Sequence, residues 1–274
     1  MKYCINTRML SYDLTLIDKI KIASESGFNG IEPWVEEIEK ENAEDIVNCC
    51  GDYGIAVPSV IVIRGWFEND GDLMGVGDFH VEIMDECKRR MELSARIGSK
   101  WIVAAPAFSH RNHYGSWEQG VDYFRELIEI GKSIGCEPTL EFMGQTDQIK
   151  NFQLCKKFID DVGDATMVID SYHVWRSGGD VREFIDLPKE RISVFHISDA
   201  DKGIERTKHR DRDRVMPLDG KIDLYGFSET INKIGYDGFI NAGVYNNLLH
   251  QMDQKFVADD CLRRMKQLFH SGNV

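Results

Sequence analysis

Short apolar runs alternate with longer amphipathic stretches along the whole chain, and this alternation predicts eight strand–helix units. The apolar runs are Tyr3-Cys4-Ile5-Asn6, Gly30-Ile31-Glu32, Val57-Pro58-Ser59-Val60-Ile61-Val62-Ile63 and Trp101-Ile102-Val103-Ala104-Ala105. They continue with Thr139-Leu140-Glu141-Phe142, Met167-Val168-Ile169-Asp170, Ser193-Val194-Phe195-His196-Ile197 and Gly238-Phe239-Ile240-Asn241-Ala242. Between them apolar residues recur three and four apart, as in Leu16, Ile20 and Ala23. The same spacing joins Met84, Cys87, Met91 and Ala95, and Val257, Cys261, Met265 and Leu268. It places one apolar stripe on a helix. Gly27, Gly54, Gly98, Gly135 and Gly235 fall where these helices should end, at the left-handed position that glycine occupies without a Cβ penalty.

Strands alternating with helices imply a parallel sheet joined by right-handed crossovers. An open dinucleotide-binding sheet would carry GxGxxG after its first strand, and the chain reads Asn6-Thr7-Arg8-Met9-Leu10 there. Eight units closing on themselves make a (β/α)8 TIM barrel, and 274 residues suit one such domain over residues 1–274.

Charge narrows the partners. A formal net charge of −13 disfavours phosphate backbones and anionic membranes, so neither nucleic acid nor membrane is an expected partner. No apolar run approaches the roughly 20 residues that span a bilayer. The opening MKYCINTRML reads as a strand rather than a signal peptide, so a cytoplasmic location is expected. The seven cysteines form no CxxC pair and sit among apolar residues, which suits buried thiols in a reducing compartment.

Reactive groups of such barrels lie at the C-terminal ends of strands. Glu141, Asp170 and His196 each close an apolar run on consecutive predicted strands. A carboxylate cluster without a cation repels itself. Two carboxylates and an imidazole form a donor set for a divalent metal, Mn2+, Zn2+, Co2+ or Mg2+.

The stretches Leu140-Glu141-Phe142-Met143-Gly144, Ile169-Asp170-Ser171-Tyr172-His173 and Phe195-His196-Ile197-Ser198-Asp199 resemble the xylose-isomerase-like barrel superfamily. The segment from Asp213 to Asp223, DRVMPLDGKID, extends the resemblance. Within the superfamily the chain looks most like the sugar-phosphate isomerase/epimerase group, especially the inosose isomerases of inositol catabolism. The resemblance implies Glu141, Asp170 and His196 as metal ligands and His173 and Arg214 as substrate contacts. It also implies a fourth ligand, a Glu in strand eight within a pattern like VSVEVFN. Here that strand reads Ile240-Asn241-Ala242-Gly243-Val244-Tyr245-Asn246, so Gly243 stands at the glutamate's place and can neither bind metal nor move a proton.

The remaining features fit a small carbohydrate or cyclitol. The run Lys208-His209-Arg210-Asp211-Arg212-Asp213-Arg214 reads as a solvated loop of paired charges, apart from Arg214. Trp66 follows strand three, where it would cover a sugar face, and Trp34 and Trp175 follow strands two and six. A DNA-repair nuclease of the same superfamily would carry more metal-binding residues and a basic face, and the chain has neither. The expected function is a metal-dependent isomerase or epimerase with Glu141 and His173 moving the proton. A keto-sugar lyase or dehydratase and a non-catalytic binding barrel are the alternatives. The oligomeric state is left open, a homo-oligomer included.

Overall fold

The computed structural model describes residues 1–64, 79–106 and 116–270. Eight parallel strands form one sheet: β1 (Lys2–Asn6), β2 (Gly30–Glu32), β3 (Ser59–Ile63), β4 (Trp101–Ala104), β5 (Glu137–Glu141), β6 (Thr166–Asp170), β7 (Ile192–Ile197) and β8 (Phe239–Ala242). Their order is β2-β1-β8-β7-β6-β5-β4-β3. Parallel bridges Gly30–Ala56 and Trp34–Ile61 link the two ends of that order and close the ring. The predicted strands are thus found within a residue or two of their expected bounds.

Around the ring lie α1 (Leu16–Ser26), α2 (Val35–Ile38), α3 (Ala43–Tyr53), α4 (Phe79–Arg96), α5 (Trp117–Ile134), α6 (Phe152–Val162), α7 (Ser171–Ser177), α8 (Leu224–Ile234) and α9 (Gln254–His270). The glycines expected to stop helices, Gly27, Gly54, Gly98, Gly135 and Gly235, all have φ between 64° and 92°. Thr15 and Ser116 open α1 and α5 with reciprocal side-chain caps to Asp18 and Gln119.

Two cores follow from the period-two alternation of strand side chains. Outward-facing Ile5, Ile31, Ile102, Leu140, Ile169, Phe195 and Ile240 pack with the helices. Inside the ring a smaller cluster forms from Ile61, Val103, Ala105, Val168 and Val194. One step of two further along a strand, the inward position becomes polar: Val168 gives way to Asp170 and Val194 to His196. That phase carries the site onto the C-terminal rim.

All seven cysteines are free and buried. Burial pushes the thiols of Cys87, Cys136 and Cys261 up to about 12, which leaves them protonated and inert at neutral pH. No helix among the described residues is long and apolar enough to cross a membrane.

Candidate metal and substrate site

Asp170 ends β6 and is also the N-cap of α7, where its Oδ1 accepts from the Tyr172 backbone N–H at 2.8 Å. The first turn of that helix brings His173, three residues on, back over the cap, with Nε2 3.8 Å from Asp170 Oδ2. The DxxH spacing is therefore one element of local geometry: strand end, helix cap, and a ring folded back onto the carboxylate. Glu141 completes the group from the neighbouring β5. Ligating atoms of Glu141, Asp170 and His173 all lie within 4.8 Å of one another.

His196 takes a different place from the expected one. Its Nδ1 lies 2.9 Å from Glu141 Oε1 and its Nε2 2.9 Å from Glu32 Oε1, so both ring nitrogens face carboxylates. Burial opposes the charge, but the two carboxylates outweigh it and hold the imidazolium well above the usual histidine range. The structure thus draws His173, rather than His196, into the group with Glu141 and Asp170.

Glu32 was not singled out from the sequence. Fully buried at the end of β2, it accepts from Asn6 Nδ2 at 2.9 Å, Ser59 Oγ at 2.6 Å and Asn241 Nδ2 at 2.7 Å besides meeting His196. Burial would raise its pKa, yet His196 and these hydrogen bonds hold it below the usual carboxylate value. The signal was available, since Glu32 is a charged residue closing an apolar strand, as Glu141 is.

Arg214 reaches the site through an antiparallel pair of two-residue strands, Asp199–Ala200 and Arg214–Val215. Asp199 pins the returning chain by accepting from the backbone N–H groups of Gly220 and Ile222, each at 2.9 Å. Only glycine fits at 220, because a Cβ there would stand 2.2 Å from Asp199 Oδ1. Arg214 is 2% exposed. Its Nη1 donates to Asp170 Oδ2 at 2.7 Å and to the Gly243 carbonyl at 3.4 Å, and its Nη2 donates to Asp211 Oδ1 at 2.8 Å. All three guanidinium nitrogens are engaged by protein atoms, Nε through Asp211. Arg214 lines the cavity, but as the counter-ion of Asp170 and Asp211 rather than as a free donor. Arg214, set apart from the paired charges of this loop, is itself paired with Asp211, while Lys208 meets Glu205 at 2.7 Å.

The Arg214 interaction has a measurable consequence in acid. Burial alone would raise Asp170, but Arg214, His173 and His196 hold it down at about 2. A carboxylate in an unfolded chain titrates near pH 3.9. The difference contributes on the order of 2–3 kcal/mol, present above about pH 4 and lost as pH falls toward 2. Urea denaturation between pH 5 and 2 should show this loss, and Asp170→Asn should flatten that part of the profile. His173 goes the other way: burial first, then Arg214, outweigh Asp170 and keep the ring neutral at pH 7.

A cavity of about 180 Å³ opens over these groups, lined by Arg8, Tyr12, Trp34, Met143, Asp211 and Tyr245 as well as Glu141, Asp170, His173 and Arg214. Trp34 is fixed by Nε1 donating to Asn6 Oδ1 at 3.0 Å, with the Arg8 guanidinium 3.5 Å over its ring. Trp175 instead packs edge-on against His209, outside the cavity lining. Trp66 lies outside the described residues.

The donor set passes a test of fit for a divalent cation: two carboxylates and a neutral imidazole, at close spacing, on rigid element ends. Such an ion would compete with Arg214 for Asp170 Oδ2.

Comparison with known proteins gives a consistent setting. A family model described as a xylose isomerase-like TIM barrel matches residues 20–267. The inosose isomerase of Bacillus subtilis (strain 168) is 25% identical over 206 residues, 73% of this chain and 71% of that protein. The 3-dehydroshikimate dehydratase of Pseudomonas aeruginosa is 22% identical across 93% of this chain, which spans 40% of that enzyme. Among solved structures, the IOLI protein with a bound zinc atom superposes with a TM-score of 0.85, at 20% identity and 99% coverage of both chains.

Proposed function

Because the chain belongs to the xylose isomerase-like TIM barrel family, we propose that it is a divalent-metal-dependent isomerase or epimerase of a sugar, inosose or related keto-polyol. The observation that supports this most directly is the convergence of Glu141, Asp170 and His173 on one buried rim beneath the cavity. A cation held by Glu141 and Asp170, with His173 as the nitrogen donor or His196 once the ion displaces its proton, would polarise a carbonyl and acidify the neighbouring C–H.

The protein's own groups supply the rest. Glu141 is the base for that C–H: it lines the cavity from β5, whereas the other carboxylate of the group, Asp170, is held by Arg214. Where His196 takes the ion, His173, neutral at pH 7, is free to relay the proton between adjacent oxygens. Arg214 fixes Asp170 and lends positive charge to the cavity wall. Trp34 offers an aromatic face to the C–H side of a polyol ring. The relatives compared above, an inosose isomerase and a dehydroshikimate dehydratase, point to small oxygenated rings.

A lyase is the second reading, favoured by Gly243. Elimination of water next to a carbonyl needs one base and one acid, whereas epimerisation needs bases on opposite faces. Proton NMR in D2O separates the readings, using inososes and keto-sugars with added Mn2+ or Co2+. Deuterium entering a rearranged product supports the isomerase, and loss of water supports the lyase. Saturable binding of the sugars with no exchange would leave a binding barrel and sink both.

A further inference from the structure

The position of Gly243 directs attention to the side chain that stands beside it. A Cβ built at Gly243 would have Tyr245 Oη as its nearest neighbour, 3.5 Å away, and Tyr245 Cζ at 3.8 Å. The phenol therefore reaches the space into which a side chain at 243 would project. Tyr245 also lines the same cavity as Glu141, Asp170 and His173. Among the described residues its hydroxyl has no hydrogen-bond partner, whereas Glu141, Asp170, His173 and Arg214 beside it are all engaged with one another or with neighbouring groups. The ring itself is held, edge-on to Trp34 with centroids 6.0 Å apart and the Arg214 guanidinium 5.1 Å from its centre.

β8 and β5 are separated by two strands in an eight-stranded ring, β7 and β6, so Tyr245 and Glu141 face the cavity from well-separated sides of its mouth. A ring-shaped ligand between them would meet a carboxylate on one side and a fixed hydroxyl donor on the other. Burial pushes the phenol well above its ordinary range, even with Arg214 opposing that shift, so the group remains a donor at neutral pH.

We propose that the Tyr245 hydroxyl takes the place of the side chain missing at Gly243 and donates a hydrogen bond to the substrate's carbonyl oxygen as negative charge develops there. This rests on the proton-transfer reading above. The C–H proton passes to the Glu141 carboxylate, the C–H electron pair becomes the C=C bond of the enolate, and the carbonyl π pair moves onto oxygen. Tyr245 keeps its proton throughout; Glu141 returns the proton to the former carbonyl carbon while the neighbouring hydroxyl's proton passes by way of His173 to the enolate oxygen, which leaves the carbonyl one carbon along with no other reactant. A fixed donor aimed at a developing oxyanion is commonly worth about 10²–10³ in rate.

Tyr245→Phe tests this, since it keeps the ring against Trp34 and removes only the hydroxyl. Turnover of 2-keto-myo-inositol should fall about 100- to 1000-fold with KM within about threefold and an unchanged Tm. Oxalate, a planar dianion with enediolate-like oxygens, supplies a readout that needs no turnover, and its Kd should rise about tenfold. Unchanged kcat and oxalate affinity in the variant would overturn the role of Tyr245 and leave the enzyme reading intact. If the native protein converts no keto-polyol while oxalate binding still depends on Tyr245, the hydroxyl site stands and the enzyme reading falls. No turnover together with oxalate binding that ignores the substitution overturns both.

Discussion

Glu32→Leu is expected to lower the unfolding free energy by about 3–5 kcal/mol, a large share of what holds a domain of this kind together. The carboxylate is the meeting point of four strands: Asn6 on β1, Ser59 on β3, His196 on β7 and Asn241 on β8 all direct a hydrogen-bonding atom at it. Leucine would leave Asn6 Nδ2, Ser59 Oγ and His196 Nε2 buried without that acceptor, and Asn241 Nδ2 with Ser59 Oγ alone at 3.2 Å. It would also leave the His196 imidazolium with Glu141 as its one remaining carboxylate. Breaking one side of a buried ion pair is costly because the other charge stays behind uncompensated. Glu32→Gln keeps the shape and one acceptor oxygen, so it should cost less, about 1–3 kcal/mol. Urea denaturation at pH 7 measures both. His196 ring resonances provide the companion readout, since the histidine should titrate at lower pH once Glu32 is gone. A leucine variant within 1 kcal/mol of the native protein would show that the network is not what braces the barrel mouth.

Much of this arrangement was legible in the sequence because the barrel converts one-dimensional phase into position. An apolar run fixes a strand, its alternation fixes which residues face inward, and its last inward residue lies on the rim. Glu141, Asp170 and His196 could be placed on that basis, and α7, capped by Asp170, explains why His173 joins Glu141 and Asp170. The same rule applied to Gly30-Ile31-Glu32 gives Glu32, and the strand's brevity is what hid it. The partners were not legible. That His196 would spend both nitrogens on carboxylates depends on Glu32, 164 residues away in the chain. Arg214 could be picked out as a site residue, but its commitment to Asp170, Asp211 and the Gly243 carbonyl depends on how the 201–213 loop doubles back. Tyr245 carried no signal at all, because an aromatic after a strand reads equally well as packing. Its reach into the space beside Gly243 exists only in three dimensions.

The clearest consequence of glycine at 243 is expected from filling it. Gly243→Glu meets no steric obstacle at Cβ, whose nearest neighbour is Tyr245 Oη at 3.5 Å, and residue 243 has no left-handed backbone to strain. The new carboxylate would enter a site where Glu141, Asp170 and His173 already gather, adding an oxygen donor to a set of three. It would also compete with Asp170 for Arg214, whose Nη1 already contacts the Gly243 carbonyl, and so loosen that guanidinium's hold on Asp170 Oδ2. Both effects favour a bound cation. Calorimetry on chelator-stripped protein should show Mn2+, Co2+ or Zn2+ affinity rising on the order of 10- to 100-fold, the scale on which changes to a metal site's surroundings are felt. Catalysis should move the opposite way for a native reaction that relies on Tyr245, because a carboxylate on a side chain that starts beside the phenol would take its hydrogen bond. The variant would gain instead a second base facing Glu141, and with it the ability to return a proton to the opposite face of the substrate. The D2O experiment reads this directly, as a larger share of deuterated epimer from the glutamate variant than from the native protein. Metal affinity that does not rise would place the cation away from β8 and remove Gly243 from the account of the site. A native protein that is inert on every keto-polyol, beside a glutamate variant that turns them over, would identify the present chain as a barrel that has given up catalysis.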